Sequence, residues 1–428
     1  MPETSTIATP IQKKAGINPI IIIGVLFFVF GFITWLNSVL VPYLKIACQL
    51  TNLESYLVAT AFYIAYLVMA VPSAKVLKKF GFKNGMAIGL VIIAIGALVF
   101  IPAALTRIYG LFLAGLFVQG IGLAILQSAS NPYVVVLGPA ESAAKRISIM
   151  GVFNKSAGAI APIALGVVAL KNVDQLKAKL ATMSAAEKVP LLNELASRVI
   201  IPYICIMVAL VILAILTYRS TLPEIDTEHE DEVTALANSN KTSVFQFPNL
   251  TLGIIALFVY VGAEVLAGDS IISYGSSLNI PLSTAKFFAT FTMFAMLLGY
   301  GIGIICIPKY ITQQKALVAS AILGFIFSVL ALITHGYASV LCIALLGLAN
   351  ALMWPAIWPL ALNGLGKFTK IASSLLVMGI SGAAVIPPLY GHFVDVYSAQ
   401  TSYLILLPIY LFIFYYAVWG HKLGKSTA

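Results

Sequence analysis

Residues 254 to 275, IIALFVYVGAEVLAGDSIISYG, place two carboxylates, Glu264 and Asp269, inside an apolar run long enough to cross a bilayer. A carboxylate near the hydrocarbon centre costs roughly 2.5 to 3.5 kcal/mol on insertion scales, so it faces a cavity, binds a cation or lies on a substrate path. Either group could instead be a structural hydrogen-bonder. Asp269, nearer the helix end, is expected at an outer mouth where water or headgroups reach it. Five residues turn a helix through about 500°, about 140° past a full turn, so the two carboxylates cannot share a face unless the helix breaks near Gly268. Glu264 is the first candidate for binding a cation, and Asp269 the second.

Other polar side chains within apolar stretches gather in a few segments. FFVFGFITWLNSVLVPYL carries Trp35, Asn37 and Ser38, and GIGLAILQSASNPYVVVLG carries Gln127, Ser128, Ser130 and Asn131. Asn154 and Lys155 lie in ISIMGVFNKSAGAIAPIALG, while Asn350, Trp354 and Trp358 lie in LGLANALMWPAIWPLALNGLG. Amides both donate and accept, which suits the hydroxyls of a neutral sugar, and indole faces suit its C–H surface. Together these residues describe a polyol site, although each one alone could be an interhelical hydrogen-bonder or packing element. Gln127 and Asn131, four apart, share a helical face, as do Trp354 and Trp358. Lys155 lies roughly 12 Å into its span by helical rise. It could snorkel to the membrane edge, contact a sugar or pair with a charge.

The elements that hold these residues are membrane spans. Of 428 residues, 61% are hydrophobic and 9% charged, against about 25% charged in an ordinary soluble domain. Apolar runs of about 20 residues match the helical length that spans a bilayer, whereas a β-barrel would show short alternating segments. The pattern gives an all-α membrane protein with twelve transmembrane helices: 18–43, 54–75, 85–105, 108–136, 147–170, 200–218, 248–273, 283–307, 314–335, 338–362, 370–392 and 401–421. The net charge of +10 is spread over short loops. It therefore reports topology and does not form a face for nucleic acid. Lys and Arg recur at every second loop, which places both termini in the cytoplasm by the positive-inside rule. The four scattered cysteines include no CxxC pair, and no His stands at metal-ligand spacing. HExxH, GxSxG and P-loop patterns are missing, so enzymatic activity and ATP-driven pumping within this chain are not expected.

Two polar stretches divide the chain. Residues 171–199 form an extracytoplasmic insertion in which Val173, Leu176 and Leu180, then Leu192, Leu195 and Val199, give helical periodicity. Residues 219–246, polar and acidic, suit a cytoplasmic linker. The expected organisation is a tail (1–17), a six-helix half (18–218), the linker, a second six-helix half (247–421) and a tail (422–428). The halves resemble each other: LGPAESAAKRISIMG from Leu137 and LGKFTKIASSLLVMG from Leu365 share Leu-Gly, a basic loop and Met-Gly at equal spacing. Six spans and a cytoplasmic linker make this a parallel repeat, with a site expected at the interface near the midplane.

FFVFGFITWLNS, LQSASNPYVVVLGP, ESAAKRISIMGVFNK and YVGAEV resemble the L-fucose permease group of the major facilitator superfamily, and most of all its bacterial sodium-coupled glucose and galactose branch. That resemblance implies the major facilitator fold and a sugar symporter of the bacterial inner membrane. Proton-coupled fucose permeases carry an aspartate and a glutamate in the first and fourth helices, where this chain has Ser38 and Gln127. They have a glutamine after YVGA, where this chain has Glu264, and a tyrosine where it has Trp354. The resemblance thus implies a monomer that needs no cofactor and imports a glucose- or galactose-like hexose. Asn37, Gln127, Asn131, Asn154, Lys155, Asn350, Trp354 and Trp358 would face the sugar, and Glu264, Asp269 and Ser38 would serve the cation. Glu264 is the possible Na⁺ ligand. The residues alone leave Na⁺ and H⁺ both open, and with H⁺ an L-fucose or N-acetylhexosamine substrate.

Overall fold

The computed structural model describes residues 19–136, 143–220, 222, 243–307, 309–363, 365 and 368–423. The expected tail 1–17, most of the linker 219–246 with His229, and the closing residues 424–428 lie outside the described residues. Among those described, every regular element is helical. Eleven helices are long and apolar enough to cross a membrane, and one of these, Asn52–Thr106, is 55 residues long. It folds back at Gly81, whose φ of 78° is open to glycine without strain, and so supplies the second and third of twelve spans. The helix restarts directly after this glycine, so the expected loop 76–84 is helical on both sides of a single hinge.

The remaining spans follow the apolar pattern closely. The first is Pro19–Trp35 continued by Asn37–Ala47, and the fourth to sixth are Tyr109–Val136, Ala143–Ala169 and Ile200–Arg219. The seventh is Pro248–Ser277, unbroken at Gly268, so Glu264 and Asp269 do point to different sides. The eighth and ninth are Phe288–Cys306 and Gln313–Ile333. The tenth is split into Gly336–Asn350 and Met353–Leu362. Its break falls where Pro355 lacks the N–H that the Ala351 carbonyl would take. Thr369–Met378 and Gly382–Val396 form the eleventh, and Leu406–Val418 the twelfth. The insertion is two helices, Val173–Thr182 and Ala185–Ser197, with Val173, Leu176, Leu192 and Leu195 buried beneath it, as its periodicity predicts.

Equivalent spans of the two halves pack alike. The first span crosses the fifth at Gly31, where an added Cβ would strike the Asn154 carbonyl; the eleventh crosses the seventh at Gly382, where one would strike the Phe258 carbonyl. The seam between the halves repeats too. At the end of the bundle that carries the insertion, the backbone N–H groups of Asn52 and Leu53, opening the second span, donate to Asp395 of the eleventh at 3.0 and 2.8 Å. The N–H groups of Leu282 and Ser283, which lead into the eighth span, donate to Asp174 after the fifth at 2.9 and 3.0 Å. Eight residues further along each of these segments, a threonine reaches across the seam. Thr60 donates to the Ala384 carbonyl at 2.7 Å and Thr290 to the Ala159 carbonyl at 2.9 Å. The Ala384 carbonyl is free to accept because Pro388 has no N–H to offer it.

Candidate functional site

Trp35, on the first span, is the floor of the site. Its indole lies between Gly158 of the fifth span and Gly268 of the seventh, and a Cβ at either glycine would press into the ring. Lys155 Nζ sits 4.6 Å from the ring centroid, a cation–π contact worth up to about 2 kcal/mol when desolvated. The same ammonium meets Glu264 Oε1 at 2.5 Å. Glu264 Oε2 accepts a hydrogen bond from the Tyr260 hydroxyl, one helical turn back on the seventh span. Both charged residues are buried, Lys155 at 7% exposure and Glu264 at 8%. The carboxylate is thus engaged at both oxygens, and Lys155 does not snorkel.

This ion pair joins the fifth span to the seventh, and hence one half to the other. Taking two charges out of water is costly, and their attraction with additional hydrogen bonds offsets that cost only while both partners are present. Removal of either leaves a buried charge, at about 3 to 5 kcal/mol. A group that competes with the ammonium for Glu264 would therefore act directly on the contact between the halves.

Asp269 lies five residues along the same helix but not at a mouth. It is 0% exposed and neither carboxyl oxygen has a hydrogen-bond partner, which corrects the expectation of a solvated position. The helix runs on to Ser277, and the Tyr403 hydroxyl and the Ser270 hydroxyl meet at 2.5 Å beside it.

The other expected residues do not all converge. Asn37 is fully buried beside Trp35 in sequence, with both amide atoms unpartnered, and the Trp35 indole N–H is likewise unpartnered. Ser38 turns its hydroxyl back to the Trp35 carbonyl at 2.8 Å. Gln127 donates to the Tyr66 hydroxyl at 2.7 Å, and Asn154 to the Phe27 carbonyl at 3.3 Å. Asn350 accepts from the Tyr410 hydroxyl at 2.9 Å and keeps its N–H group unpartnered. Trp354 and Trp358 stack on each other, ring centroids 5.3 Å apart, and both are half-buried, as is Asn131. Trp35, already among the expected residues of the first span, therefore stands ahead of the tenth-span residues, and Tyr260 joins it. The signal for Tyr260 in the sequence is proximity: it stands four before Glu264.

A bundle of twelve helices with repeated halves and a buried charge pair at their junction defines a class, the membrane transporters of the Major Facilitator Superfamily. The model of that family matches residues 23–381, and the chain belongs to it. Among its relatives, the glucose/galactose transporter of Brucella abortus (strain 2308) is 34% identical, over 97% of this chain and 96% of that one. The L-fucose-proton symporter of Escherichia coli (strain K12) is 30% identical over 90% of this chain and 88% of that protein. The solved structure of FucP in its outward conformation superposes with a TM-score of 0.70 at 27% identity, covering 96% of this chain and 99% of FucP. The chain is accordingly a sugar transporter of this superfamily, which is a family of transporters.

Proposed function

We propose that this transporter imports a neutral hexose of the glucose or galactose kind together with a monovalent cation, Na⁺ in the first reading, by alternating access. The observation that carries the reading is the Lys155–Glu264 pair, closed at 2.5 Å between the fifth and seventh spans. Na⁺ arriving at Glu264 would take the place of the ammonium and release Lys155 from the seventh span. The carboxylate would keep a positive partner while the halves lose a link. Sugar would be met by Asn37 and the Trp35 indole N–H, whose polar atoms are buried and unpartnered, with Gln127, Asn131, Asn154, Asn350, Trp354 and Trp358 reached as the halves rock. A coupling free energy of about 1 to 3 kcal/mol between cation and sugar is expected for such a device.

The distribution of the basic loops supports an orientation with the insertion outside the cytoplasmic membrane and both termini in the cytoplasm, and in this reading the protein acts as a monomer divided at the linker 219–246. Proton symport is the second reading, in which L-fucose or an N-acetylhexosamine could be the cargo. One observation favours it: Glu264 is already occupied by Lys155 and Tyr260, and protonation would break the ion pair without requiring room for a metal ion. Uptake into proteoliposomes of D-glucose, D-galactose, L-fucose and N-acetyl-D-glucosamine, under a Na⁺ gradient or a pH gradient imposed separately, tests both. Accumulation of D-glucose or D-galactose under Na⁺ alone supports the first reading. Accumulation under the pH gradient with none under the Na⁺ gradient overturns it in favour of the second, and no accumulation of any sugar overturns the proposal.

A further inference from the structure

The Glu264 pair leaves one intramembrane carboxylate of the seventh span without a role. Asp269 is fully buried, and both of its oxygens lack a hydrogen-bond partner. An ionised carboxylate in that state would carry a desolvation cost that no neighbour offsets, and such a group becomes neutral instead. The titratable side chains packed around this stretch are tyrosines: Tyr56 and Tyr63 of the second span, Tyr390 of the eleventh, and Tyr403 at the head of the twelfth. The Tyr63 hydroxyl is itself buried and unpartnered. The charged groups of the neighbouring site, Glu264 and Lys155, neutralise each other.

One helical turn beyond Asp269, Ser273 lines a cavity of about 210 Å³ at the insertion end, together with Tyr56, Asn52, Lys45 and Lys177. That volume holds several waters, since one needs about 30 Å³, and its lining includes Tyr56, which lies within electrostatic reach of the carboxyl. A partnerless acid group thus lies one turn below a polar cavity, on the seam between the halves.

We propose that Asp269 is a proton-binding site of the transport cycle, loaded from the insertion-end cavity past Ser273 and Tyr56, and separate from the Glu264–Lys155 site. In the closed arrangement described here the carboxyl holds its proton. When the halves part and water reaches it, the O–H bond breaks, the proton passes to water and the carboxylate is hydrated; the reverse transfer reloads it. This rests on the transport reading above, and it adds a proton to each sugar whichever cation acts at Glu264.

The test uses the full-length protein in proteoliposomes with a pH-sensitive dye in the lumen and no Na⁺ or pH gradient. Whichever of D-glucose, D-galactose, L-fucose and N-acetyl-D-glucosamine the wild type takes up is driven inward down its own gradient. Protons moved per sugar are read, so that a slower variant remains informative. The wild type is expected to acidify the lumen as sugar enters, Asp269→Asn to lose one proton per sugar (at least nine-tenths of the ratio where Na⁺ acts at Glu264, about half where a second proton does), and Asp269→Glu to retain it. For any variant that moves no sugar, infrared difference spectra of the protein exchanged between H₂O and D₂O supply a second readout. The C=O stretch of a protonated, dry carboxyl should be present in the wild type and in Glu264→Gln, and absent in Asp269→Asn. A wild type that moves sugar without protons, or an Asp269→Asn protein with an unchanged ratio or an unchanged band, overturns the proposal. Failure of the wild type to take up any of the four sugars overturns the transport reading and this one with it.

Discussion

Glu264 and Asp269 share one uninterrupted helix, five residues apart, yet the fold treats them in opposite ways. Glu264 is bound at both oxygens, by a lysine from the other half and a tyrosine of its own helix. Asp269 is buried more completely and bound by nothing. The difference follows from helical geometry, because a rotation of about 140° turns one towards the fifth span and the other away from it. Burial alone therefore does not make two carboxylates equivalent. What distinguishes them is which neighbours the other half brings.

That contrast can be broken most forcefully at Lys155. Lys155→Met should leave Glu264 charged and unpaired, destabilising the protein by about 3 to 5 kcal/mol, visible as a lowered thermal midpoint in detergent. Combining it with Glu264→Gln should recover most of the loss, and a double variant no more stable than the single one would show that the pair is not the cause. Glu264→Gln by itself should abolish sugar accumulation driven by a Na⁺ gradient, measured as the inside-to-outside ratio at steady state. Full accumulation by that variant would remove the cation from Glu264. Asp269→Asn should sharpen the contrast from the other side: an amide replaces a neutral acid of equal size, so the thermal midpoint should move by less than Lys155→Met moves it, within about 1 kcal/mol.

The smallest effects are expected at the seam. Asp174→Asn and Asp395→Asn should each cost about 1 kcal/mol as lost helix-start caps. Each should increase labelling of a cysteine introduced at Ser277, which lines the insertion-end cavity, by a membrane-impermeant reagent. Burial acts to raise the pKa of Asp174, but the N–H groups of Ser283 and Leu282, the Ser283 hydroxyl and Lys177 outweigh it, holding the carboxyl below its ordinary range. A depressed value means that this clamp contributes its stabilisation above the ordinary carboxylate range and loses it as pH falls through the lower, folded-state value. Labelling should therefore be flat across neutral pH and rise only in acid. A rise near neutrality would assign the change to another group.

Much of this was legible in the chain. Twelve apolar runs became twelve spans, and the periodicity at Val173, Leu176, Leu192 and Leu195 became two helices lying on the bundle. Period and composition report which face a residue occupies, and that is where they stop. That Lys155 would find Glu264, 109 positions away, depends on how the fifth span crosses the seventh. Gln127 and Asn350 are expected at a sugar because an amide both donates and accepts; that Tyr66 would take one atom of the first and Tyr410 one atom of the second, leaving the Asn350 N–H unpartnered, depends on helix packing. Asp269 looked near enough to the helix end to be wet, and tyrosines from other spans cover it. Asp174 and Asp395 carried no signal, since an acidic residue near a span end reads as a solvated one.

The seam has a further consequence for inheritance. Four of its donors are main-chain N–H groups, at Asn52, Leu53, Leu282 and Ser283. Any amino acid but proline presents the same donor, so drift at these four positions leaves that part of the latch intact. Only the two aspartates are exposed to mutation as acceptors, and because each half carries one, a lesion in either leaves its counterpart holding. A closure made this way tolerates variation on one side of every contact and keeps a spare on the other.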